Sequence, residues 1–151
     1  MSHRPPADRP VFLYDGDCAF CTSCARVIER RIPTSATVVA WQHADLGELG
    51  VAQSDAEAAV QWIPAPAGVH GTVAGAPRTV AAGPKAIAEL LVDAGGPWRP
   101  LGRVLAWRPV LALAWPVYRW VSRNRHRMPG GTPACALPQD ERTRLRPPVR
   151  G

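Results

Sequence analysis

The chain opens polar and proline-rich over residues 1–10, then turns apolar at Val11-Phe12-Leu13-Tyr14, a run of strand length. Gly16 breaks that run, and a helical pattern follows in which Cys21, Cys24, Ala25, Ile28 and Ile32 share one face. Asp17 stands where an N-cap belongs, and Pro33 closes the helix. Thr37–Trp41, β-branched and apolar, predicts a second strand. Gly47–Gly50 predicts a loop or short turn, and Ser54-Asp55-Ala56-Glu57 has the S-x-x-E form of a capping box that starts a brief helix. Ala59–Ile63 predicts a third strand and Arg78–Ala82 a returning one, joined by the Pro-, Ala- and Gly-rich stretch 64–77 with Val73 near its middle. Gly83-Pro84 then opens a helix with Ile87, Leu90, Leu91 and Ala94 as its buried stripe, stopped by Gly95-Gly96-Pro97. From Trp98 to Arg127 the pattern is helical, but Pro100, Pro109 and Pro116 predict two or three short helices with Val110, Leu113, Ala114, Val117 and Val121 facing inward. Pro129–Pro133 reads as a turn.

This order predicts an α/β fold: a small mixed sheet flanked by helices, with a C-terminal helical extension. At 151 residues, 46% apolar and 20% charged, the chain has the composition of a globular protein with one core. We expect a folded domain over 11–129, including a basic helical extension at 98–128, a disordered lead-in at 1–10 and a weakly ordered tail at 130–151. The polar N-terminus has no apolar leader, and Pro109 and Pro116 bracket the longest apolar run, so a cytoplasmic location is expected. The net charge of +6 is concentrated: no acidic residue lies between Asp93 and Asp140, where seven arginines fall. Such a stretch could meet nucleic acid, an anionic membrane surface or an acidic protein. Trp98, Trp107, Trp115, Tyr118 and Trp120 interleave with these arginines, and core aromatics with snorkelling arginines are the simplest account. Nucleic acid is not favoured on that account, and weak membrane-surface contact is the second reading.

The chemistry is concentrated at the first strand-to-helix junction, where Asp15, Gly16, Asp17, Cys18 and Cys21 fall together. Unpaired N–H groups and the positive dipole end of a helix start favour an anion, so a thiol there ionises more readily than a free one. Cys18 is the candidate nucleophile, and Cys21, one turn on, is placed to resolve a mixed disulfide. Asp15 could accept the proton that Cys21 loses, although its charge also raises a neighbouring thiol's pKa. Cys18, Cys21 and Cys24 also open a C-x-x-C-x-x-C cluster motif, but its further cysteine would stand at position 28, which is Ile, and a four-cysteine zinc site needs the tail to bring Cys135 back. No metal and no cofactor is assigned, and Cys24 reads as an additional, buried free thiol on the apolar stripe. His3, His43, His70 and His126 are scattered without metal-like spacing. Val11–Asp17 is also similar to the first motif of haloacid-dehalogenase-type phosphatases, with Asp15 as nucleophile, Asp17 as general acid and Lys85 as phosphate ligand. No later strand ends in the paired acidic residues that would hold Mg²⁺ for that chemistry.

Asp15, Cys18 and Cys21, spaced D-x-x-C-x-x-C within Tyr14-Asp15-Gly16-Asp17-Cys18-Ala19-Phe20-Cys21, resemble the signature of the DCC family of thiol-disulfide oxidoreductases. Gly95–Leu101 and Val117–Arg125 are similar to that family's C-terminal part, so the resemblance runs from Val11 to Pro129. It implies a thioredoxin-like fold and dithiol exchange at Cys18 and Cys21, with Asp15 carried over and Tyr14, Gly16 and Asp17 supporting. The implied partners are a protein or small-molecule disulfide or dithiol substrate and a separate electron donor. Many members carry a Ser-Asp pair before the second long helix, where this chain has Gly83-Pro84.

Overall fold

The computed structural model describes residues 8–66, 79–133, 137, 140, 141 and 144. Its sheet has the order β2-β1-β3-β4, formed by β1 (Val11–Tyr14), β2 (Thr37–Ala40), β3 (Gln61–Ile63) and β4 (Ala81–Ala82). β1 runs parallel to β2, with Val11 opposite Thr37, and antiparallel to β3, which pairs antiparallel with β4. This mixed sheet with helices around it is a thioredoxin-like arrangement. The period of two along a strand sorts its side chains. Val11 and Leu13 join Val39, Trp41, Val51, Ala56 and Ile63 in one cluster. Phe12 joins Trp62, Ala81, Ala86 and Leu90 in the other, with Tyr14 and Ile28 packed against it. β1 is therefore covered on both faces, and the turn that follows it is held on a rigid base.

The helices are α1 (Ala19–Arg31), α2 (Leu46–Leu49), α3 (Gln53–Ala58), α4 (Pro84–Ala94), α5 (Trp98–Ala106) and α6 (Arg108–Asn124). The loop or short turn expected over Gly47–Gly50 is the one-turn α2. Asp45 caps it by accepting from the Glu48 N–H at 3.1 Å, and Gly50 ends it in the left-handed region at φ 69°. The expected capping box does not form: α3 begins at Gln53 with Ala52 as its cap, so Ser54 lies inside the helix. There Gln53 instead donates to the Glu57 carboxylate at 2.8 Å. The third strand begins later than expected because α3 runs to Ala58 and the Val60 N–H turns to the Tyr118 hydroxyl at 3.0 Å. Pro100 and Pro109 sit in the first turns of α5 and α6, where the missing N–H has no intrahelical partner to lose. The break between these helices falls at Trp107, which is extended, and Pro116 does not interrupt α6. Gly102 lets α5 close on α4, since a Cβ there would stand 2.7 Å from the Ala88 carbonyl oxygen.

Two packing expectations are corrected. In α1 only Ala25 is buried, and α6 has no buried residue; Leu113 and Val117 are 72% and 62% exposed. In α1 the stripe still meets the core through Ala25 and through Ile28, which packs against the second cluster, but the apolar stripes of both helices also line a groove of about 900 Å³ that reaches α4 at Ile87 and Leu91. The reading of the aromatic residues as core also fails for Trp107 and Trp120, which are 65% and 59% exposed. Trp115 does pack, edge-on to Tyr118 at 6.0 Å, with the Arg119 guanidinium over its ring at 5.5 Å from the centre. No helix among the described residues is long and apolar enough to cross a membrane. Of the lead-in expected over residues 1–10, the first seven lie outside the described residues, while Pro10 is buried and its carbonyl accepts from the Thr37 N–H at 2.9 Å. The connection at 67–77 with Val73, the strand start at Arg78, and Cys135 with most of the tail also lie outside the described residues, as do His3 and His70.

Candidate thiol site

β1 ends at Tyr14, and four residues later the chain enters α1 with Cys18 as the N-cap, its backbone extended at φ −97° and ψ 116°. The cap expected at Asp17 is thereby displaced by one residue. The Cys18 carbonyl accepts the first helical hydrogen bond, from the Thr22 N–H at 2.9 Å, and Cys21 falls in the first turn. Between strand and helix the turn is tied down from several directions. The Gln42 side chain, just after β2, accepts from the Gly16 N–H at 3.0 Å and donates to Asp15 Oδ1 at 2.9 Å. Asp15 Oδ1 also accepts from the Asp17 N–H at 3.1 Å, and the Thr22 hydroxyl donates to the Gly16 carbonyl at 3.3 Å. Gly16 is required by a close approach: a Cβ there would stand 2.5 Å from the Ala40 Cβ.

Asp15 is buried, and its Oδ2 faces Arg125 Nη1 at 3.3 Å. The same nitrogen reaches Cys21 Sγ at 3.9 Å. Arg125 follows the end of α6 and lies 110 residues from its carboxylate partner, so only the tertiary fold brings them together. Burial works against the Arg125 charge, but the negative charges of Cys21, Cys18 and Asp15 outweigh it and raise the pKa. The Cys21 pKa is lowered, first by a hydrogen bond from Cys18 and further by Arg125, against the opposing effects of burial and of the Asp15 charge. Cys18 is buried at 0% exposure, whereas Cys21 is partly exposed and lines the groove. That order of exposure is the reverse of the one expected for an attacking Cys18.

Cys24 is exposed on the groove wall, not buried as its apolar stripe suggests; desolvation there and then the Cys18 charge raise its pKa. Tyr14 and Tyr118 also line the groove. The Tyr14 pKa is raised by burial first and by Glu29 next, with Arg26 opposing. The Tyr118 pKa is raised mainly by burial, opposed by the hydrogen bond from Val60. Lys85 is exposed near the start of α4. Among the described residues no three of His, Cys, Asp or Glu are grouped so as to hold a metal ion.

The spacing in sequence brings Asp15, Cys18 and Cys21 together, whereas Arg125 and Gln42 join the site only through the tertiary fold. The segment containing Arg125 stands out in the sequence through its basic stretch and its likeness to the DCC family's C-terminal part, neither of which ties it to Asp15, while Gln42 carries no local signal. A buried carboxylate–arginine pair, a thiol with a lowered pKa and a second thiol beside it thus meet at one helix start.

Comparison with known proteins matches residues 12–131 to the DCC1-like thiol-disulfide oxidoreductase family. No curated protein and no solved structure matches the chain. With the family model covering most of the sequence, including Asp15, Cys18, Cys21 and Arg125, the chain belongs to the DCC1-like thiol-disulfide oxidoreductase family.

Proposed function

We propose that this chain exchanges disulfides through the Cys18–Cys21 pair, with Cys21 the thiol that meets the substrate. The observation that carries the reading is the environment of Cys21: partly exposed in the groove, with Cys18 hydrogen-bonded to it and Arg125 beside it. As thiolate, Cys21 attacks one sulfur of a substrate disulfide and expels the other as a thiolate. Cys18 then loses its proton and attacks the Cys21 sulfur of the mixed disulfide. The substrate leaves as a dithiol, and the pair, now a disulfide, has given up two electrons. A separate thiol donor restores them, which suits a cytoplasmic setting where thiols are kept reduced. Asp15 is assigned to hold Arg125 rather than to accept a proton, because its oxygens already accept from Gln42, Asp17 and Arg125. The same engagement of a buried carboxylate argues against Asp15 as a phosphatase nucleophile.

Trapping tests this directly. With a small aryl disulfide as substrate, Cys18→Ser should accumulate a mixed disulfide at position 21, while Cys21→Ser should react far more slowly. Accumulation on Cys18 in the Cys21→Ser variant would return the attacking role to Cys18. If neither variant forms an adduct faster than a free cysteine, the redox function is wrong.

A further inference from the structure

We propose that the α5–α6 face docks on the surface of an anionic bilayer. In α6, Leu113, Val117 and Trp120 follow at four and then three residues, a spacing that places them on one stripe, and all three are exposed. Leu101 and Val104 of α5 and Trp107 at the break between the helices are exposed too. A concentration of exposed large apolar side chains on one helix pair marks an interaction surface. Along residues 98–127 the charge has one sign: Arg99, Arg103, Arg108, Arg119, Arg123 and Arg127 are exposed, and no acidic residue occurs in sequence between positions 93 and 140. The acidic neighbours come from other elements, Glu57 on the groove wall and Asp55 beside Arg119 and Arg123.

Only one occupant fits both features. A second copy of this chain would bring arginine against arginine in a protein of net charge +6. Nucleic acid would satisfy the arginines and stack on Trp107 and Trp120, but it would leave Leu101, Val104, Leu113 and Val117 against water. The interface of an anionic bilayer takes phosphate-paired arginine, tryptophan at headgroup level and aliphatic side chains at the acyl boundary together. Leu113 and Val117 also line the groove that holds Cys21, so docking brings the mouth of the groove to the lipid surface. The inference does not depend on the thiol chemistry.

The full-length protein should co-sediment with vesicles of equimolar phosphatidylcholine and phosphatidylglycerol, and much less with phosphatidylcholine alone. Each arginine at such a surface is worth about fivefold in partitioning, so Arg103→Gln/Arg123→Gln should weaken binding by about twenty-five-fold, and added salt should act the same way. Leu113→Ser/Val117→Ser, at exposed sites the fold does not need, should weaken it as well, while Cys21→Ser should sediment as the wild type does. Equal binding to both vesicle types, or none, overturns the proposal. So does tighter binding to a single-stranded oligonucleotide that the Leu113→Ser/Val117→Ser change leaves intact. Lipid-free self-association abolished by that same change would likewise assign the face to a second copy instead.

Discussion

Removing the charge of Arg125 is the sharpest perturbation of the thiol site. Its Nη1 lies 3.9 Å from Cys21 Sγ, where a full charge pair is worth about 1 kcal/mol in water and about 4 kcal/mol at the effective dielectric of a protein surface. The guanidinium is shared with Asp15 at 3.3 Å, so the lower part of that range applies to the thiolate. About 1.4 kcal/mol corresponds to a tenfold change in the ionised fraction. Arg125→Gln should therefore slow iodoacetamide alkylation of Cys21 at neutral pH by about tenfold, followed by peptide mass spectrometry, with the rates converging at high pH where the thiol ionises unaided. The sign is fixed by the folded state: the arginine lowers the Cys21 pKa, so its loss moves the alkylation curve toward higher pH. Asp15 acts in the opposite sense, and adding Asp15→Asn to Arg125→Gln should recover part of the rate. The double variant also removes the danger of leaving a buried carboxylate unpaired, which alone can unfold a protein. An alkylation curve unchanged in Arg125→Gln, with folding intact by circular dichroism, would refute the assignment of Arg125.

Three further outcomes follow from the same geometry. Because the Cys21 pKa is lowered and the Cys24 pKa is raised, a pH series of brief alkylation should modify Cys21 first and Cys24 only at distinctly higher pH; labelling in the reverse order would contradict the electrostatics of the site. Gly16→Ala forces a Cβ to within 2.5 Å of Ala40 Cβ and should cost about 1–3 kcal/mol in chemical denaturation, with Ala40→Gly restoring much of it. Tyr118→Phe leaves the Val60 N–H without its 3.0 Å acceptor and should destabilise by about 1–3 kcal/mol, read as a lower melting temperature, whereas a neutral result would mean that water replaces the hydroxyl.

Local pattern carried the fold where one residue's neighbours decide its state. The apolar run Val11–Tyr14 is a strand because a period of two with both faces covered leaves no other low-energy choice, and the break at Gly16 follows from a contact that only hydrogen fits. Pro116 shows the limit of a rule that looks only at its own segment: proline disfavours a helix interior, yet α6 continues through it. Arg125 was illegible for a different reason. Its role depends on Asp15, 110 residues away, and nothing local in the sequence distinguishes it from the six exposed arginines between positions 99 and 127.

The exposure of the two thiols illustrates why a motif does not assign roles. A helix start is a boundary between two backbone geometries, and the N-cap side chain obeys the extended one. With Cys18 as cap, its sulfur leaves the wheel on which Cys21, Cys24 and Ile28 are counted and turns into the protein, while Cys21 stays on the wheel and looks into the groove. Periodicity likewise shows that a helix face is apolar without saying what covers it. Leu113 and Val117 of α6 match a core pattern, yet they line an open groove with Cys21 on its wall. Apolar surface left uncovered beside Cys21 carries a cost in water, and a substrate or a surface that covers it recovers that cost in proportion to the area it covers.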